Sequence, residues 1–207
     1  MLGIHDYWLF VVSGVLLNLT PGQDTLFIVG RSVAEGTRSG VASALGIAVG
    51  SLFHTAMAAV GLSAVLATSA SAFTVVKFCG AAYLIYLGLR MVFAAKIIAP
   101  RELAASGALN SFRDGILTNV LNPKVALFFL ALMPQFIEHD SNTKVAAFIA
   151  LGLTFVTTGT VWCLVLAICA GKLRKSLTRH ARKWRVVSRV TGGLFVLLGL
   201  RLAVSRQ

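Results

Sequence analysis

Charge is the commodity this chain most lacks. Only 13% of its 207 residues are charged, and just seven are Asp or Glu. A water-soluble domain covers its surface with charged side chains, so this composition excludes one. Cysteine is scarce too: Cys79, Cys163 and Cys169 are odd in number and sit inside apolar runs, which excludes a disulfide scaffold and makes them packing residues. Composition likewise excludes collagen and intrinsic disorder. There is no HExxH, no pair of intramembrane aspartates and no plausible Ser-His-Asp set, which argues against an intramembrane enzyme. Nothing in the sequence asks for a cofactor or a metal ion.

What the chain has in abundance is apolar length. Hydrophobic residues make up 57% and the mean hydropathy is +0.84. Six stretches, near 7–30, 40–67, 72–95, 114–137, 145–171 and 186–204, are each long enough to cross a hydrocarbon core of roughly 30 Å. The reading is an all-α polytopic membrane protein of six spans. The first stretch has no Lys or Arg before it and is interrupted by Thr20-Pro21-Gly22, so it reads as a retained span and not a signal peptide.

The net charge of +12 raises nucleic acid as a partner. The basic residues, however, fall in short gaps between apolar runs, the pattern of loops beside anionic lipid, and nucleic acid is set aside. Fourteen of the nineteen Lys and Arg lie in the gaps after spans one, three and five or at the span ends that border them. The positive-inside rule then puts those gaps in the cytoplasm and both termini outside it.

The chain repeats itself weakly. Leu87-Gly88-Leu89-Arg90 ends span three and Leu198-Gly199-Leu200-Arg201 ends span six, while spans one and four are each broken by a proline, at Pro21 and Pro123. Three spans per half is an odd number, so the second half must run the opposite way: a 3+3 inverted repeat, divided as 1–95 and 113–207 with a cytoplasmic linker at 96–112. Such architectures place a substrate site near the bilayer midplane and build it from broken helices.

The breaks carry the candidate chemistry. In Asn18-Leu19-Thr20-Pro21-Gly22-Gln23-Asp24, Thr20 is placed as an N-cap, Pro21 as the first helical residue and Gln23 as the closing member of a capping box. Asn122 and Pro123 repeat the device in span four. The N–H groups freed at such ends favour an anion, such as a substrate carboxylate. Asp24 lies about 10 Å inside the cytoplasmic edge at 1.5 Å per residue. A carboxylate there costs on the order of 3 kcal/mol, so it should face a wet cavity, pair with a cation or take up a proton. Lys124, about 15 Å deep, needs something negative beside it: either it alternates with a zwitterionic substrate as the partner of Asp24, or it bends toward cytoplasmic water. Asn18 and Asn119 are expected to satisfy carbonyls freed by the prolines or to touch substrate. His54 is either a proton relay or a hydrogen-bonded packing residue. Gly36, Gly40, Gly46 and Gly50 read as close helix contacts. Thr154, Thr157, Thr158 and Thr160 line a cavity or bond back to their own helix.

With these residues the chain resembles the lysine-exporter family of bacterial amino-acid efflux proteins, over almost its whole length. The resemblance rests on Thr20-Pro21-Gly22-Gln23-Asp24 with the spaced glycines and Gly61-Leu62; on Lys77, Gly80, Tyr83 and Leu87-Gly88; and on Phe112, Gly115, Asn119, Asn122-Pro123-Lys124, Phe128-Phe129 and Pro134-Gln135-Phe136. Gln23 departs from the family's usual proline. The resemblance implies a bacterial inner-membrane protein that exports a small amino acid or close analogue, coupled to inward proton movement, with Asp24 functional and the two proline turns as its frame. A passive channel for a small solute is the alternative, though a neutral pore gives no reason to bury Asp24 and Lys124. The particular amino acid and any homo-oligomer are not legible in the chain.

Overall fold

Residues 2–62, 107–138 and 141–172 are described in the computed structural model, with isolated helical positions at 75, 78, 82, 85, 86, 89, 93, 193, 196, 197 and 200. Most of spans three and six, the LGLR stretches apart from Leu89 and Leu200, Cys79 and most of the basic loop after span five lie outside the described residues, as do Lys77, Gly80 and Tyr83.

Among the described residues, apolar runs broken by proline and glycine give six α-helices. They are α1 (Tyr7–Leu19), α2 (Gln23–Glu35), α3 (Thr37–Met57), α4 (Gly107–Val120), α5 (Pro123–Leu127) and α6 (Lys144–Lys172). No strand occurs among the described residues; a single bridge joins Ile4 to Ile137. Thr37–Gly61 and Lys144–Lys172, of 25 and 29 residues, are long and apolar enough to cross a membrane, and α4 with the α5 segment makes a third such span if counted as one, bent by 44°. α1 is apolar but has only 13 residues. Two helices end in wider turns: α3 runs into a π turn at Ala58–Leu62, and α5 into one at Phe128–Leu132 followed by a 3-10 turn at Met133–Phe136.

α3 is the hub, packing on α2, α4 and α6. Lipid tails are as apolar as leucine, so helix association here depends on close approach and not on exclusion of water. The α3–α4 seam shows how: a Cβ at Gly46 would lie 2.1 Å from the Phe112 carbonyl oxygen, and one at Gly115 2.6 Å from that of Ser43. Gly36 has a different duty from the one its spacing suggested. A Cβ there would meet nothing within 4 Å, and the residue turns the chain between α2 and α3 at φ +93°, a conformation that L side chains rarely adopt.

Two apolar clusters lie on either side of the centre. Phe10, Phe128, Phe129 and Phe155 anchor one, with the Phe128 and Phe155 rings stacked at 4.6 Å; Ile28, Ile47, Cys163 and Leu166 belong to the other. Aromatic pairs of this kind contribute about 0.5–1.5 kcal/mol beyond their buried area.

Candidate functional site

The first break forms differently from the capping box read in the sequence. Pro21 has no N–H to give, and the chain stays extended at Thr20 (φ −71°, ψ 124°) and at Gly22 (φ −144°, ψ −164°). The helix therefore restarts at Gln23, with Gly22 as its N-cap and no side-chain cap. Thr20 closes α1 instead, its hydroxyl donating to the Leu16 carbonyl at 2.7 Å. Gln23 is exposed at the first helical position, and Asp24 sits in the first turn, where its charge complements the helix dipole.

The second break is capped by its own side chain. Asn122 is the N-cap, its Oδ1 accepting from the Lys124 N–H at 3.0 Å, and Pro123 takes the first helical position, where a missing N–H costs nothing.

Between the breaks lies a small cavity of about 30 Å3, room for roughly two water molecules. Each helix gives it a polar residue: Asn18 from α1, Asp24 from α2, Ser51 from α3, Asn119 from α4, Lys124 from α5 and Thr160 from α6. Much of the rest of the wall is apolar, from Ile47, Val125, Phe155 and Val156 to the thiol of Cys163. The cavity thus sits where the two apolar clusters meet.

Asp24 is held on one side only. Asn119 Nδ2 donates to Oδ2 at 2.9 Å, and the Asn119 amide is itself fixed by Ser51, whose hydroxyl donates to Asn119 Oδ1 at 3.2 Å. Asn122 also faces Asp24. The second oxygen, Oδ1, is buried and makes no hydrogen bond among the described residues, and neither does the buried Asn18 Nδ2. Two residues of the same cavity wall thus each keep one unpartnered polar atom, an acceptor on Asp24 and a donor on Asn18.

Lys124 settles into neither of the two places expected from sequence. It makes no ion pair with Asp24, although both line the cavity, and it does not reach for water. Its ammonium donates to the carbonyls of Leu17 at 3.1 Å and Thr20 at 3.0 Å, at the end of α1. The physical reason is Pro21: in an unbroken helix the Leu17 carbonyl would accept the N–H of residue 21, which proline lacks. A cation also belongs at the negative end of α1, so a charge that opposes the dipole of its own helix complements that of another. The duty foreseen for Asn18 is performed by Lys124.

Several side chains that sequence reading left open are now placed. Thr154 and Thr158 bond back to carbonyls of α6, Thr157 is exposed and Thr160 lines the cavity. His54 is buried, with Nε2 at 3.1 Å from the Asn119 carbonyl. A network that sequence reading missed ties α2 to α4: Arg31, 5% exposed, pairs with Glu35 and reaches Asp114 at 2.7 Å, while Ser39 and the Gly107 N–H donate to Glu35. The Arg31–Glu35–Ser39 ladder at four-residue spacing was its one visible trace.

The family model for LysE type translocators matches residues 15–206. The chain is 31% identical to the homoserine/homoserine lactone efflux protein of Salmonella typhimurium, covering 98% of each protein. It is 30% identical to the uncharacterized membrane protein YrhP of Bacillus subtilis, over 98% of this chain and 100% of that protein. Against the leucine efflux protein of Salmonella choleraesuis the identity is 26%, over 97% of this chain and 96% of the other. No solved structure matches the chain.

Proposed function

The chain belongs to the LysE type translocator family, and we propose that it exports a small α-amino acid with an uncharged side chain from the cytoplasm, in exchange for protons. One observation carries the reading: Asp24, whose Oδ1 is buried without a hydrogen-bond partner, and Asn18, whose Nδ2 is likewise unpartnered, line one cavity together with Lys124. These are the groups a zwitterion requires. The substrate ammonium binds Asp24 Oδ1, and its carboxylate takes Asn18 Nδ2 and Lys124, drawing Lys124 off the α1 carbonyls. Asp24 and Lys124 are the only Asp, Glu, Lys or Arg among the described residues of the wall, and both are used by the backbone of the substrate, which leaves its side chain to uncharged groups. The efflux of homoserine and of leucine named for two relatives fits a wall of hydroxyls and aliphatic groups.

The narrow cavity must widen for an amino acid, and the flanking breaks at Thr20-Pro21-Gly22 and Asn122-Pro123 are where the helices give way. We read the whole chain as six spans in two inverted halves, 1–95 and 113–207, joined by the cytoplasmic linker 96–112, with both termini outside the inner membrane. Asp24 then holds either the substrate ammonium or a proton, and returns protonated, which makes the exchange an antiport.

The test is counterflow in proteoliposomes with labelled threonine, homoserine, leucine, lysine and glutamate under an imposed pH gradient. The expected result is accumulation of the neutral amino acids against their gradient, lost at least about a hundredfold in Asp24→Asn, an effect of the size expected when a buried charge partner is removed. Equal transport by Asp24→Asn would remove Asp24 from the mechanism, and equilibration without accumulation would make the protein a pore.

A further inference from the structure

The carbonyl four residues before a helical proline is the acceptor that the proline leaves short. At Pro21 this is Leu17, which shares the Thr20 N–H at 3.1 Å and receives Lys124 Nζ at 3.1 Å. At Pro123 it is Asn119, which takes the Asn122 N–H at 2.9 Å and faces His54 Nε2 at 3.1 Å. A carbonyl can only accept, so Nε2 carries the hydrogen and donates. Leu17 and Asn119 stand 102 residues apart, as do the two prolines. In both cases the side-chain donor comes from the opposite segment of the chain.

The two donors are thus equivalent by place, and only one of them, Lys124, lines the cavity. We propose that His54 is a positioning residue of the substrate site, acting through Asn119. The ring is fixed by burial, with Phe129 stacked at 5.7 Å and Phe53 edge-on at 6.1 Å, and its N–H pins the Asn119 carbonyl. Ser51, three residues earlier on α3, pins the side-chain amide of the same asparagine. Backbone and side chain of Asn119 are then both anchored to α3. Its Nδ2 consequently stays on Asp24 Oδ2 and leaves Oδ1 without a partner, on a residue that lines the cavity. An amide stands between His54 and Asp24, and an amide with both of its functional groups engaged in this way orients its neighbour instead of relaying a proton.

This role rests on the export reading above, and the test separates the two. Counterflow with labelled leucine and threonine is measured in proteoliposomes for wild type, His54→Phe and His54→Gln. Phe keeps the ring and loses the N–H; Gln restores an N–H at similar reach. The expected result is a half-saturation concentration raised roughly five- to tenfold in His54→Phe, the size of one lost hydrogen bond, with a maximal rate within about twofold of wild type and near-complete rescue in His54→Gln. If His54→Phe does not fold, Ser51→Ala loosens the same asparagine and should give the same split. Unchanged half-saturation in the variant that folds, or a defect in His54→Gln equal to that of His54→Phe, overturns the role. Wild-type protein that moves neither amino acid overturns the export reading, and this role with it.

Discussion

At Pro21 the chain breaks a helix without a side-chain cap: α2 begins on Gly22, and the cation that mends the end of α1 comes from Lys124, more than a hundred residues away. At Pro123 the break is mended from both sides: Asn122 caps the new helix, and His54 covers the carbonyl left behind. The first break therefore depends on a mobile, four-carbon ammonium that has a second use in the cavity, the second on two short side chains held by packing. A break whose repair can be withdrawn is one that substrate can influence, whereas a break with its own cap serves as the fixed frame.

Removing the borrowed cation should break this contrast most severely. Lys124→Met strands the Thr20 carbonyl, at about 1–3 kcal/mol, and leaves that of Leu17 with only a shared Thr20 N–H, and we expect a large fall in thermal midpoint in detergent. Adding Pro21→Ala returns an N–H to Leu17 and should recover part of that loss; no recovery would mean that Lys124 does not serve the α1 carbonyls. Next in size is Asn122→Ala, which deletes the only side-chain cap at either break and should cost about 1 kcal/mol, measured by the same unfolding assay. A cost near zero would make the two breaks alike. The smallest effect is expected from Gly22→Ser, which gives the first break the cap it lacks. The gain is a few tenths of a kcal/mol, opposed by a new Cβ 3.1 Å from Lys124 Nζ. Stability should move by less than about 0.5 kcal/mol, while leucine counterflow falls because the ammonium has been displaced.

Both breaks were legible in the sequence, because proline announces itself locally. The start of α2 was not: the capping box needed Thr20 beside a helical Pro21, and the extended backbone at Gly22 moved the start to Gln23. Nor was the destination of Lys124, since nothing near it in sequence indicates that the end of α1 lies within reach of its side chain. Ser51 and His54 point toward Asn119 only because the α3–α4 seam is closed by Gly46 and Gly115. The glycine spacing was visible; which helix it faced was a property of the tertiary structure.

Arg31 has a bearing on topology. Two carboxylates, buried Glu35 and half-exposed Asp114, neutralise its buried guanidinium, so anionic headgroups scarcely feel it, and an orientation read from basic residues would rest on Arg38 and those beyond it. Exchanging Arg31 for a neutral residue would accordingly disturb how α2 meets α4 without turning the molecule over in the bilayer.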